Sequence, residues 1–396
     1  MSSRWHVLVL LFLIRTAMAF QFGTVGALGP LVGQSFQVDV ASVGILIGLY
    51  LSPGLIFAMP GSAIAKFFGD KRAVLLGLVL MTVGGTISTF ATTWDLQLVG
   101  RAVAGIGGVM LNVLMSKMVA DWFHDHEIAT AMAIFVNSWL AGIALALLVQ
   151  PMIAAEVGLA GAFGLTAVLA VCAFFALLIG YEGPVVMRGT KGDMPSGTNL
   201  TCLIVAGIIW GLYNAALALM FAFGPILLSG RGWELAAASS MTSLTVWCGA
   251  LTVPISGLLA DRSGRPGAIM VIGLLLTALA MAALPRTDHV VATMVLIGLL
   301  GGIPAGAILS LPIRVLSAQT RVLGMGLFYT LLYGFIVFAP PAAGFLISST
   351  GWDGAAMDFG AAMLVAAVAL LAVFEHFASG ARSRATATVQ PSASRA

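Results

Sequence analysis

Apolar runs of about twenty residues follow one another along this chain, parted only by short breaks of Gly, Pro and charge. At ~1.5 Å of rise per residue, ~20 helical residues cross a ~30 Å hydrocarbon core. Such a chain is expected to fold as an all-α membrane protein. The breaks predict twelve spans, at 6–33, 42–65, 72–91, 96–120, 127–155 and 158–181, then at 199–228, 236–260, 267–285, 290–314, 322–349 and 355–378. Composition agrees: 60% of the 396 residues are hydrophobic and 8% charged, where a soluble domain carries about 25% charged. The net charge of +3 is too small to suggest a nucleic-acid partner. Cys172, Cys202 and Cys248 are an odd number, widely spaced in apolar runs, and read as small hydrophobes rather than a disulfide or metal framework.

The N-terminus imitates a secretory signal: Arg4, an apolar stretch at 7–14 and the small residues "AMA" at 17–19. The apolar run nevertheless continues to Val32 and Arg15 abuts the apparent cleavage site, so no cleavage is expected. The only long polar break, "EGPVVMRGTKGDMPSGTN", separates the sixth and seventh spans. The expected organisation is an N-terminal six-helix bundle at 1–181, a cytoplasmic linker at 182–198, a second six-helix bundle at 199–378 and a disordered cytoplasmic tail at 379–396. With the N-terminus inside, fourteen of the eighteen Lys and Arg fall on the inner side, among them Arg4, Lys66, Lys71, Arg72, Arg188 and Arg321; Arg231 and Arg286 alone are outer. That positive-inside bias predicts an inner-membrane protein with both termini cytoplasmic.

The two halves echo each other. "PGSAIAKFFGDKRAVLLG" follows the second span and "GLLADRSGRPGAIMVIG" the eighth. The latter, with Gly257, Asp261, Arg262, Gly264 and Arg265, resembles the inner-loop signature of the major facilitator superfamily, Gly-x-x-x-Asp-Arg-x-Gly-Arg. The N-terminal copy departs from it: Lys66 stands where the Asp is expected, while Gly69, Lys71 and Arg72 persist. "GRAVAGIGG", with Arg101, Gly105 and Gly107, is similar to a second pattern of that superfamily. The resemblance covers essentially the whole chain. It implies twelve helices in two pseudo-symmetric six-helix bundles, the major facilitator fold, and a midplane site reached by alternating access. It further implies that the first, fourth, seventh and tenth spans line the cavity and that the Asp261 motif and Arg101 are gating or structural.

Arg15 lies near the middle of the first span, where a charge costs ~2.5–3.5 kcal/mol and faces a bundle interior or a wet cavity. Two readings stand: a structural Arg bonded to carbonyls of a neighbouring helix, or an anchor whose planar fork meets an anion bidentately. The anchor is favoured here. Lys117 and Arg314, near the inner ends of the fourth and tenth spans, either extend a positive funnel or snorkel to the interface; Lys117 is also placed to pair with Asp121 on its own helix. Gln21, Asn112, Asn137, Trp210, Tyr213, Asn214, Tyr329 and Tyr333 are candidates to complete a pocket, or else helix-to-helix glue. "WGLYN" at 210–214 is the best cluster, because the seventh span is the symmetry mate of the first.

None of the fifteen Asp and Glu lies deep in a span, and the five His sit at span ends. A cation site or a proton relay normally includes a buried carboxylate. The cluster "DWFHDHE" at 121–127 reads as a solvated loop rather than a metal site. There is no Gly-Lys-Ser/Thr phosphate loop, so no nucleotide cofactor is expected, and nothing points to an enzyme. "SKMVADWFHDHEIATAMAIFVNSWLAGIALALLVQP" loosely resembles the fourth-to-fifth helix region of bacterial cyanate- and nitrate-type porters. The leading expectation is a monomeric secondary transporter of a small anion, inorganic or a carboxylate, working with an exchanged anion or a co-transported proton. The alternative is an exporter of hydrophobic compounds with the same fold. A membrane receptor that binds without translocating is disfavoured by the short tail.

Overall fold

The computed structural model describes residues 4–57, 69–123, 127–182, 194–263, 265–317 and 319–388, and every regular element among them is helical. The first span forms as α1 (Arg4–Ala27) and α2 (Gly29–Phe36), three residues longer at its end than the sequence suggests. Gln37 then caps α2 in the left-handed conformation (φ 52°), and Asp39 caps α3 (Val40–Leu49), its carboxylate accepting from the Ser42 amide at 2.8 Å. A short polar cap at each side of the turn lets the chain reverse by 114° within three residues. The second span continues into α4 (Gly54–Phe57); its expected remainder and Lys66 lie outside the described residues.

The third and fourth spans are α5 (Asp70–Thr89) and α6 (Trp94–Trp122), which starts where the Thr93 side chain accepts from the Leu96 amide. The fifth and sixth are not separated by a loop as expected. They run as α7 (Ile128–Gly180), divided by one non-helical residue, Gly158, at φ 72° and ψ 178°. Only glycine adopts that backbone without strain, so a single residue replaces the break.

In the second half the spans are α8 (Gly197–Gly230), α9 (Leu235–Ser263) and α10 (Pro266–Ala283). The tenth is discontinuous: α11 (Val290–Gly302), a break at Ile303 and Pro304, then α12 (Ala305–Ser310) and a 3-10 turn ending at Arg314. Pro304 has no N–H to continue the ladder, which accounts for the break. The last spans are α13 (Arg321–Thr350) and α14 (Ala355–Thr388). α14 carries helix ten residues beyond the expected span end, into the segment expected to be disordered; the Ala and Arg there are good helix formers. Most of the expected linker, including Arg188, and the last eight residues lie outside the described residues.

Within the first half, α1 packs on α7, and α5 on α6 and α7; within the second, α8 packs on α13 and α14, and α9 on α11. The halves meet where α3 packs on α13, α9 on α7 and α8 on α1. The α3–α13 contact is the closest. Gly44 and Gly48, one helical turn apart on α3, lie so near α13 that an added Cβ would overlap the carbonyl oxygens of Pro340 and Val337 respectively. Small residues four apart let helix backbones touch in lipid, where van der Waals packing drives association. Ser239 Oγ donates to the Ala27 carbonyl (3.1 Å) and Ser243 Oγ to that of Ala144 (2.7 Å), fastening α9 to the first half near the same end.

Candidate functional site

A cavity of about 200 Å³ lies between the halves. Helical periodicity decides which residues reach it. From α1 come Arg15 and Phe22, seven residues apart; from α8, Trp210, Asn214, Leu217, Ala218 and Phe221; from α13, Tyr329, Leu332, Tyr333 and Ile336. α6 supplies Asn112 and α7 supplies Val136, Trp139, Leu140 and Ile143. The walls are therefore wider than the four spans implied by the resemblance, because the second (through Leu51), fifth, eighth and eleventh also contribute.

Among the described lining residues Arg15 is the one with a charged side chain. It is 8% exposed. Nη1 donates to the carbonyls of Phe135 (3.0 Å) and Val136 (3.2 Å) and stands 3.5 Å from Ser138 Oγ. Nε and Nη2 both donate to Asn112 Oδ1, at 3.0 and 2.9 Å. The guanidinium carbon also lies 4.7 Å from the Phe135 ring centre, over its face. A hydrogen bond from a charged group is worth ~1.5–3 kcal/mol net, so two of these contacts suffice to offset the ~2.5–3.5 kcal/mol of central burial.

The carbonyl-bonded arrangement of the structural reading is thus present. It does not use the whole guanidinium: among the described residues, one of its five N–H groups, on Nη2, has no acceptor, and no carboxylate pairs with the charge. Asn112 in turn donates from Nδ2 to Tyr333 Oη at 2.6 Å. Arg15, Asn112 and Tyr333 therefore form one hydrogen-bonded chain from the first half to the second.

On the opposite wall, Trp210 stacks on Tyr213 (ring centres 5.5 Å apart) and lies nearly parallel to Phe328 (13°). Tyr213 donates to the Gly301 carbonyl at 2.6 Å, which fixes the stack against α11. Asn214 Nδ2 donates back to the Trp210 carbonyl (2.8 Å). The indole N–H of Trp210 is buried without a partner among the described residues.

Several candidates lie elsewhere. Gln21 faces the interior of the first half, donating to the Met81 carbonyl and Thr166 and accepting from Tyr50. Lys117 is held by Asp70 (2.6 Å) and by Asp121 (2.8 Å), and Arg314 by both oxygens of Glu375 (2.6 and 2.9 Å). With their charges paired at the helix ends, these two do not form a positive funnel into the cavity. Asn137 donates to the Ala250 carbonyl across the α7–α9 contact.

Arg101 is 3% exposed and donates to the carbonyls of Leu46 (3.1 Å), Gln21 (2.8 Å) and Phe22 (2.7 Å), over the Tyr50 ring at 4.5 Å. It clamps α1, α3 and α6 together and is not among the residues that line the cavity. Of the Asp261 motif, Gly264 and the side chain of Asp261 lie outside the described residues, as do His124, Asp125 and His126; Arg262 and Arg265 are exposed at the end of α9 and the start of α10, and the backbone of Gly257 lies within α9.

Trp139, Phe22 and Phe221 were not singled out from the sequence. Trp139 lies 5.0 Å from Phe22 and 5.9 Å from the Arg15 guanidinium carbon, between ring centres and carbon respectively. Their only signal is a seven-residue spacing, as between Arg15 and Phe22, which is faint in helices apolar all round. The Gly44–Gly48 spacing was legible but went unread.

The model of the Major Facilitator Superfamily matches residues 11–196 and 199–394. A bacterial homologue of the human lysosomal transporter Spinster, solved inward-facing and unoccupied, superposes with a TM-score of 0.72 at 16% identity, over 100% of both chains. "Probable anion transporter 2, chloroplastic" of Oryza sativa subsp. japonica is 30% identical over 34% of this chain and 24% of its own length. "Lysosomal dipeptide transporter MFSD1" of Homo sapiens is 23% identical over 67% of this chain and 63% of its own. The chain thus spans about a quarter to under two thirds of these relatives' lengths. Two helical halves around a central cavity, and a family model matched along nearly the whole chain, lead to one identification: this protein belongs to the Major Facilitator Superfamily.

Proposed function

We propose that the chain is a secondary transporter that moves a small anion across the inner membrane by alternating access. One observation carries the reading: a buried guanidinium lines the cavity between the halves, with a spare N–H and no carboxylate partner among the described residues. A buried cation whose partners among the described residues are all neutral favours an anion as its counter-charge. Relatives named as an anion transporter and a dipeptide transporter are in keeping with it. With no carboxylate among the described lining residues, the coupling in this reading comes from an exchanged anion or from a proton that travels with the substrate. The Asp261 motif serves as the gate. In vesicles preloaded with labelled anion, external anion should speed release by counterflow and a lipophilic cation should not. The second reading, export of hydrophobic compounds, is favoured by the aliphatic and aromatic walls; it is the one that stands if a neutral compound drives counterflow and anions do not.

The Gly44–Gly48 end is proposed to be the outer one, with both termini cytoplasmic. In a variant lacking the three native cysteines, a Cys at exposed Glu234 should react with a membrane-impermeant maleimide added to intact cells. Glu234 is preferable to Gly232, whose φ of 86° strains any other residue. Reaction only after the cells are permeabilised would reverse the orientation.

A further inference from the structure

From the cavity walls we infer that the substrate is a monocarboxylate carried on a ring-sized apolar body, with a hydrogen-bond acceptor on that body for Trp210. The inference rests on the anion reading above and narrows it. The charge comes first. Arg15 is the one charged lining residue among those described, so it balances one negative charge and leaves a second uncompensated in an apolar site. The Nη2 N–H left free, together with the Tyr333 hydroxyl proton (its oxygen already accepts from Asn112), offers two donors to one carboxylate.

The body follows from what surrounds that point. Phe22, Trp139, Phe221 and Ile297 present rings and hydrocarbon to the cavity, where a hydrated inorganic anion would lose water without replacement. An apolar cavity of about 150 Å³ accommodates benzene; the space here, about 200 Å³, adds room for a carboxylate and one substituent.

The acceptor follows from Trp210. Its indole N–H is buried and unpartnered while its ring is fixed between Tyr213 and Phe328. The nitrogen itself has no open surface, so the ligand acceptor meets it through a turn of the ring within the plane of that stack. Buried donors left unmade are costly, and a ligand acceptor at this wall removes the cost. Arg15 belongs to the first half and Trp210 to the second, so a ligand holding both bridges the surfaces that alternating access must move.

The test is equilibrium binding to the purified full-length protein, with 4-acetylbenzoate as the probe carrying all three features. It should bind at least about tenfold more tightly than acetate, nitrate or neutral 4-acetylbenzamide, as loss of the body or of the charge removes more than 1.4 kcal/mol. Trp210→Phe keeps an aromatic ring in the stack and removes the N–H together with the volume of the second ring. It should weaken 4-acetylbenzoate about 3- to 10-fold more than benzoate, which has no second acceptor and so reports the lost ring volume alone. Acetate or nitrate binding as tightly as 4-acetylbenzoate would overturn the substrate class while leaving the anion reading intact. Equal binding of 4-acetylbenzamide would overturn the anion reading itself. Equal weakening of both benzoates in Trp210→Phe would remove Trp210 as the donor.

Discussion

Replacing Gly48 with Leu should hold the two halves apart at the end where α3 meets α13 and slow counterflow at least tenfold. A Cβ at this position has no free space, since it falls on the Val337 carbonyl oxygen, and backbone cannot swing aside as a side chain can. Forcing added carbons into a packed contact costs ~1–3 kcal/mol. Here the cost falls on one conformation only, because the contact lies between the halves rather than inside either. The equilibrium should therefore shift about 5- to 150-fold toward the state with this end open. Spin labels on exposed Gln34, near the end of α2, and exposed Glu234, just before α9, sit on opposite halves and should report a longer distance in the variant. Gly267→Ala provides the control, since a Cβ there meets nothing within 4 Å. An unchanged distance with unchanged counterflow would show that the α3–α13 contact does not open during transport.

Arg15 carries the second large effect. Arg15→Ala should weaken anion binding about 10- to 150-fold, the loss of one charged hydrogen-bonded contact at ~1.5–3 kcal/mol. Because Arg15 also bonds Asn112, Phe135 and Val136, loss of binding in Arg15→Ala would follow from a structural role as well. Arg15→Gln helps to separate the two: it keeps two N–H donors toward those three acceptors and removes the charge. If Arg15 is the anchor, Gln should bind anions as poorly as Ala, and Lys should fall between, with a point charge in place of the fork. All three should still insert: Ala and Gln relieve the cost of a central charge, and Lys does not raise it. Wild-type anion affinity in a folded Arg15→Gln protein would refute the anchor and leave the helix-tying role.

The charge at residue 15 and the spans around it were legible in the sequence, for one physical reason. Hydrocarbon penalises charge and rewards apolar length so strongly that span number and the inward facing of Arg15 follow from local composition. The pairing of Lys117 with Asp121 was legible too, because residues four apart share a helix face. Its second partner, Asp70, and the Glu375 partner of Arg314 come from other helices, and no local rule predicts them. The spare polarity of the pocket was equally hidden. Gln21 and Asn112 are both amides deep in apolar helices, yet one fills a bundle interior and the other links Arg15 to Tyr333 across the cavity. Helices bathed in lipid are apolar on every side, so sequence periodicity gives no contrast between the face toward a neighbour and the face toward a cavity. Only the packing of α3 on α13, α8 on α1 and α9 on α7 decided which side of each helix became a wall.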